Sequence, residues 1–505
     1  MGLEVNPNAT VWFVALPFFT HLKATSQLAE ILAGRGLTVT LLGSKHDIQR
    51  LQASWGHIPE SSNKRNIQFR SLDIELPDLG NTVGGNARLL KPFAQAELAF
   101  EEVLKSELAR GSRPTCVIVD LFMPGARDLA AGAGIPAWPF LPFLSSFLTT
   151  NLYLKKLGAA GILTLPDSLE ESDVKEEFIN IPGLSLMKIY EVNAIYFKCN
   201  PLYRLGQRRA DFLQEADVLI MTGFRELEPQ AFSALEKLLY FNALQNSRKI
   251  SKIWTVGPMF PLLSDNQVSV AKELVAEKVD PCIRFLDSQS PSSVVYVSFG
   301  TDVSVSQEQL LELVYGLESS QQPFICALRT PKSDQNSYVM VQDLLSDLDP
   351  ALLSRISRRS LFVEWAPQMD VLSHASTGAF LSHCGFNSLL ESVWHGVPIL
   401  GWPRQYDQFT NCRHLVDEAQ IALEVHPRLI PDGFVTRKDV EIVITTLFHT
   451  AEGKALRERA RQMKQQAEES VGENGSSSKN LETLVAHIEH LAKQTSGSSN
   501  PKQST

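Results

Sequence analysis

Trp365-Ala366-Pro367-Gln368 opens a stretch that runs through Ser382-His383-Cys384-Gly385-Phe386-Asn387-Ser388-Leu389-Leu390-Glu391, Gly396-Val397-Pro398 and Trp402-Pro403 to Asp407-Gln408. The middle of this stretch decides the fold. Gly378 to Ser382 is an apolar run of strand length, and Leu389, Leu390, Val393 and Trp394 follow at helical spacing. Ser388 and Glu391 stand in S-x-x-E order and predict a capping box at the helix start. Gly396 predicts the helix end, with Pro398 beyond it. His383, Gly385, Asn387 and Ser388 fall in the turn, where free N–H groups and the positive end of the helix dipole suit a diphosphate. A plain capped helix accounts for Ser388 and Glu391. It leaves the Trp-Ala-Pro-Gln and Asp-Gln flanks unexplained.

Outward from there the same alternation recurs. Val11 to Leu16 reads as a strand, Leu22 to Ala33 as a helix and Leu37 to Leu42 as a strand. Cys116 to Asp120, Gly125 to Ala133 and Ile135 to Trp138 repeat the pattern; Ala216 to Met221, Ile253 to Gly257 and Val294 to Ser298 are further strands. Alternating strands and helices predict parallel sheets covered on both faces, with ligands at the strand C-terminal ends. Residues from about 140 to 210 are rich in Phe, Leu and Tyr and are suited to wall an apolar pocket. Lys454 to Gln494 reads as helical, broken near Gly472 to Ser478.

A chain of 505 residues exceeds one ordinary core and implies two domains. A net charge of −9 argues against a general nucleic-acid or anionic-membrane surface. Six cysteines, at 116, 199, 282, 326, 384 and 412, form no C-x-x-C pair, which points to reduced thiols in a cytoplasmic protein. No apolar run approaches the roughly 20 residues of a membrane span, and Val11 to Phe19 lacks the basic segment of a signal peptide. No P-loop or G-x-G-x-x-G is present, against a kinase or dinucleotide oxidoreductase.

The segment from Trp365 to Gln408 resembles the signature box of plant family 1 glycosyltransferases, which use UDP-sugars. Ile181-Pro182-Gly183-Leu184, Phe224 to Glu228, Val256-Gly257-Pro258 and Val297 to Thr301 are also family-like. The resemblance implies an α/β protein of the GT-B fold: two Rossmann-like doubly wound domains facing a central cleft. The expected division is residues 1–250 for the acceptor, with a C-terminal helix near 479–493 packed back on it. A linker over 251–266, a UDP-sugar domain over 267–478 and a disordered tail over 494–505 complete the expectation.

Glycosyl transfer needs a base for the acceptor and stabilisation of the departing diphosphate. His21 is the candidate base: it follows the first strand and opens the first helix, with Thr20 as expected N-cap. A helix N-terminus disfavours imidazolium, and Asp120, at another strand end, is placed to orient the ring. In the resembling family the histidine of this segment is the catalytic base and the aspartate its partner. Thr20 and Ala24 depart from the family's usual Gly and Pro.

The resemblance further implies that Trp365 stacks on uracil and that Ala366 meets its edge. Gln368 and Glu391 would take the ribose hydroxyls; His383, Asn387 and Ser388, beside Gly385, the phosphates with Ser298 and Thr301; Asp407 and Gln408 the sugar. Phe386 replaces the family's usual Trp and lacks the indole donor.

Two other signals compete. Asp347-Leu348-Asp349 resembles the metal-binding D-x-D of another glycosyltransferase fold but sits in a polar, solvated stretch. His374, His383, Cys384, His395, Cys412 and His414 cluster without a zinc spacing. The expectation is an inverting, metal-free UDP-glycosyltransferase without cofactor, using UDP-glucose on a flavonoid or other phenol. It is expected as a cytoplasmic monomer with no nucleic-acid partner and no integral membrane segment. C-glycosylation of an electron-rich ring and a non-catalytic nucleotide-sugar binder are the alternatives; the presence of both His21 and Asp120 disfavours the second.

Overall fold

The computed structural model describes residues 9–55, 66–74, 86–159, 178–192, 200, 202–245, 252–260, 280–300, 306–328, 330–331, 338–339, 349–425 and 434–497. A first sheet has β1 (Thr10–Val14), β2 (Thr38–Ser44), β3 (Ile67–Leu72), β4 (Cys116–Asp120) and β5 (Ala137–Leu141). A short antiparallel pair follows, β6 (Phe178–Ile179) with β7 (Met187–Lys188), and then β8 (Val218–Met221) and β9 (Lys252–Thr255) rejoin the first sheet. The second sheet has β10 (Val294–Ser298) and β11 (Phe324–Ala327). After a second antiparallel pair, β12 (Thr330–Pro331) with β13 (Tyr338–Val339), it continues with β14 (Ser360–Val363), β15 (Thr377–Ser382), β16 (Ile399–Gly401) and β17 (Ala422–Glu424).

The strand orders are β3-β2-β1-β4-β5-β8-β9 and β14-β11-β10-β15-β16-β17, and every pairing within them is parallel. Their central strands are near-continuous apolar runs because helices cover both faces. Each order reverses once, at β1/β4 and at β10/β15. Those are the switch points where loops splay apart and leave a crevice at the carboxyl edge. His21 and Asp120 follow and end β1 and β4; Ser298 and His383 end and follow β10 and β15.

Several expected bounds shift. β9 is the last strand of the first sheet, so a linker starting at 251 begins too early; the expected linker stretch Leu263 to Asn266 lies outside the described residues. β5 starts at Ala137, not Ile135. The last helix runs Ser476–Gly497, past the expected start of a tail at 494. It returns to the first sheet: Leu481, Leu484, Val485, Ile488 and Ala492 share a core with Val11, Phe13, Val39 and Trp254.

Candidate active site

The helices that follow β1 and β15 start without side-chain caps. The helix Phe19–Gly34 has Phe18 as its extended N-cap residue, so Thr20 does not cap it and His21 sits in its first turn. The helix Phe386–His395 begins after Gly385, three residues ahead of the expected Ser388 cap. Its first N–H groups therefore have no side-chain acceptor, which suits an anion. Gly396 does end this helix, in the left-handed region at φ 69°. Ser388 and Glu391, freed from capping, turn to Gln368: its Nε2 donates to Glu391 Oε2 at 2.6 Å and to Ser388 Oγ at 3.2 Å.

At the first edge His21 Nδ1 donates to Asp120 Oδ2 at 2.7 Å. Asp120 is 1% exposed, and its other oxygen accepts from the Phe122 N–H at 3.0 Å. A carboxylate anchored twice holds the ring proton on Nδ1 and puts the basic lone pair on Nε2. The surroundings are phenyl rings: Phe122 lies edge-on to His21 at 5.7 Å, Phe143 at 5.9 Å and Phe18 at 6.5 Å. Phe93 packs on Phe18 and Phe147 on Phe143.

At the second edge Gly300 and Gly385 clasp the His383 ring. A Cβ on Gly385 would stand 2.4 Å from Nε2, and one on Gly300 3.1 Å, at a φ of +76° that itself favours glycine. Burial pushes the His383 pKa down to about 4, outweighing a main-chain hydrogen bond at Ser298, so the ring is neutral. Asn387 follows in the same first turn, beside a pocket shared with Lys23. Thr301 lies outside the described residues.

Trp365 is 63% exposed, an indole face open to solvent, whereas its neighbour Ala366 is buried. Asp407 keeps some accessible area, yet the protein packed around it raises its carboxyl pKa by desolvation, against a hydrogen bond from Asn411 Nδ2 at 2.7 Å. Asn411 also donates to the Cys384 carbonyl at 3.0 Å, tying Asp407 to the turn that follows β15. Gln408 is buried, and its Oε1 accepts from the N–H groups of Arg404 and Gln405 at 2.9 and 3.0 Å. The amide oxygen is thus engaged by the backbone, which leaves Nε2 as the donor end of the side chain.

Sequence reasoning missed Tyr296, whose hydroxyl donates to Gln368 Oε1 at 3.3 Å, Asn411, and Lys23, whose Nζ lies 3.6 Å from Glu391 Oε1. Tyr296 and Lys23 act across distances in sequence that no local pattern records.

The competing signals dissolve into separate roles. Asp349 caps the helix Pro350–Ile356 by accepting from the Ala351 N–H at 2.9 Å, and Asp347 lies outside the described residues. His374 meets Asp287; His414 meets Glu418 and the Leu227 carbonyl. Among the described residues no group of three His, Cys, Asp or Glu side chains is placed to hold a metal ion. Cys116, Cys282, Cys326, Cys384 and Cys412 are buried free thiols. No described helix is long and apolar enough to cross a membrane.

Two doubly wound sheets whose carboxyl edges meet, one with an imidazole–carboxylate pair and one with an uncapped helix start, define a GT-B glycosyltransferase. Residues 259–439 match the family model described as UDP-glucoronosyl and UDP-glucosyl transferase. The chain is 31% identical to UDP-glycosyltransferase 72B1 of Arabidopsis thaliana, over 96% of this chain and 97% of that one. It is 32% identical to anthocyanidin 3-O-glucosyltransferase 5 of Manihot esculenta, over 72% of each. The fold matches a Polygonum tinctorium UDP-glucosyltransferase capable of glucosylating indoxyl, with TM-score 0.79 and 27% identity over 96% of this chain and 100% of that one. The chain belongs to the plant family 1 UDP-glycosyltransferases.

Proposed function

We propose that this enzyme transfers glucose from UDP-glucose, with inversion, to a hydroxyl of a small planar phenol such as a flavonoid. The observation that carries the reading is the 2.7 Å bond between His21 and the buried Asp120 inside a phenyl-lined wall. His21 Nε2 takes the acceptor hydroxyl proton as the oxygen attacks the anomeric carbon. The bond from that carbon to the diphosphate breaks on the opposite face, and UDP leaves with the electron pair. Asp120 stabilises the imidazolium formed. The relatives' names, a glucosyltransferase of anthocyanidins and one of indoxyl, support an aromatic acceptor.

On the donor side Trp365 stacks on uracil and Ala366 meets its edge. Gln368 and Glu391 take the ribose; Ser298, Thr301, His383, Gly385, Asn387 and Ser388 surround the diphosphate; Asp407 and the Gln408 amide N–H hold the glucose. No metal takes part, and the enzyme works as a cytoplasmic monomer. The acceptor half is residues 1–255 with the terminal helix; the donor half ends before that helix starts at Ser476.

The test is a panel of phenols incubated with UDP-glucose, with UDP release and product mass read together. A glucoside with the β-anomeric configuration that acid hydrolyses is expected. An acid-stable product would move the reaction to ring carbon, and UDP binding without turnover on any phenol would sink the catalytic reading.

A further inference from the structure

One pocket lies between the two helices that start bare. Lys23 and Gln27 of the helix Phe19–Gly34 line one side, Asn387 and Glu391 of the helix Phe386–His395 the other. Its lining holds one cation, Lys23, and one anion, Glu391. Lys23 Nζ lies 3.6 Å from Glu391 Oε1, and Gln368 Nε2 donates to Oε2, so both carboxylate oxygens are engaged from opposite sides of the cleft. Glu391 has 9% of its side chain exposed and Lys23 49%.

A carboxylate enclosed beside a diphosphate site is an electrostatic liability, because like charges repel most where water is excluded. The phosphate-side groups of the second half do not offset it: His383 is neutral, and Asn387 and Ser388 carry no charge. The offsetting cation comes from the acceptor side. Lys23 stands two residues after His21 in the same helix, so a contact to Glu391 also fixes where that helix, and the base in its first turn, sits against the donor.

We infer that Lys23 is a positioning residue for the donor. It neutralises Glu391 from across the cleft and holds the carboxylate, together with Gln368, in the orientation that accepts the ribose hydroxyls. The inference rests on the donor-site reading above.

Steady-state kinetics with UDP-glucose test it in wild type, Lys23→Met and Lys23→Arg. Loss of one partly exposed ion pair is expected to raise KM about three- to tenfold in Lys23→Met, with kcat within about twofold. Lys23→Arg should restore KM, and Lys23→Met should add nothing in a Glu391→Gln background. An unchanged KM in Lys23→Met, a loss that arginine does not restore, or an equal loss in the Glu391→Gln background overturns the inference. Titration of Glu391→Ala with UDP separates the two readings. If UDP binds that variant as tightly as wild type, Glu391 is no ribose ligand, and the inference falls with the donor-site assignment rather than on the behaviour of Lys23.

Discussion

At the first sheet's edge an imidazole is bonded to a buried carboxylate; at the second, an imidazole is clasped between two glycines and forms no ion pair among the described residues. Both rings follow a strand at a switch point, and both lie beside an uncapped helix start. What differs is the partner. Asp120 makes His21 a group that gains by taking a proton, whereas desolvation holds His383 neutral at a pKa of about 4. In the proposed reading the same local architecture serves proton transfer when a carboxylate backs it and anion binding when none does. A strand–turn–helix unit therefore says where a ligand goes, and the second contact of the side chain says what is done to it.

The contrast breaks first at the base. His21→Ala should lower turnover by about two to four orders of magnitude, while UDP affinity, measured by calorimetry, stays within about twofold. Asp120→Asn keeps the ring but removes the charge behind it. A smaller loss of about ten- to hundredfold is expected in kcat/KM, and a pH–rate profile should show the base titrating lower than in wild type, since the imidazolium loses its stabilising carboxylate.

Next comes the sugar. Gln408 Oε1 is engaged by the backbone, so in the proposed sugar site Nε2 is the end that donates to a hydroxyl of fixed configuration. An epimer that moves this hydroxyl leaves a buried donor unpaired at about 1–3 kcal/mol, or roughly tenfold to hundredfold in preference. Competition between UDP-glucose and UDP-galactose should favour glucose by this factor, and Gln408→Ala should erase most of it. Equal use of both sugars by the wild type would remove Gln408 from the sugar site.

The neutral ring makes a pH prediction. The His383 folded-state pKa of about 4 lies below its ordinary 6.5. Its contribution to stability is complete above pH 6.5 and is lost as pH falls from there toward 4, by at most about 1.4 kcal/mol per pH unit. Thermal unfolding between pH 7 and 5 should show a shallower fall for His383→Gln than for wild type. Parallel curves would mean the ring is already charged or exposed. The smallest expected effect is none at all: excess EDTA should leave the initial rate unchanged, because the proposed phosphate site uses N–H and hydroxyl donors. Loss on chelation, restored by Mg²⁺ or Mn²⁺, would revive a metal reading of Asp349 and its neighbours.

How much of this was legible in the chain follows from how local each signal is. β4 and β10 were readable to the residue, because buried parallel strands are short unbroken apolar runs. Trp365 to Gln408 were readable as one box, because most of the proposed donor-site residues lie in one continuous segment around one turn. The helix starts were misread at Thr20 and Ser388: a side-chain cap has a sequence signature, and a bare start left for a ligand has none. Tyr296 meets Gln368 across 72 positions, and Lys23 meets Glu391 across the cleft, so neither pairing exists until both sheets are assembled. The phenyl wall around His21 was the least readable. Phe18, Phe93, Phe122 and Phe143 come from separate elements, and a phenylalanine that lines a site has the same local pattern as one that fills a core.

The returning terminal helix has a consequence for how the chain is made. Leu481, Leu484 and Ile488 complete a core whose other members include Val11, Phe13 and Val39. Ribosomes add about 5–20 residues per second, so the opening strands emerge tens of seconds before the helix that covers them. Throughout that interval the helices Phe19–Gly34 and Lys45–Trp55 cover only part of that face, and the core they share with the terminal helix is unfinished. Removal of residues 476–497 would make that interval permanent: the expected product is an aggregating chain, even though none of the proposed active-site residues has been touched.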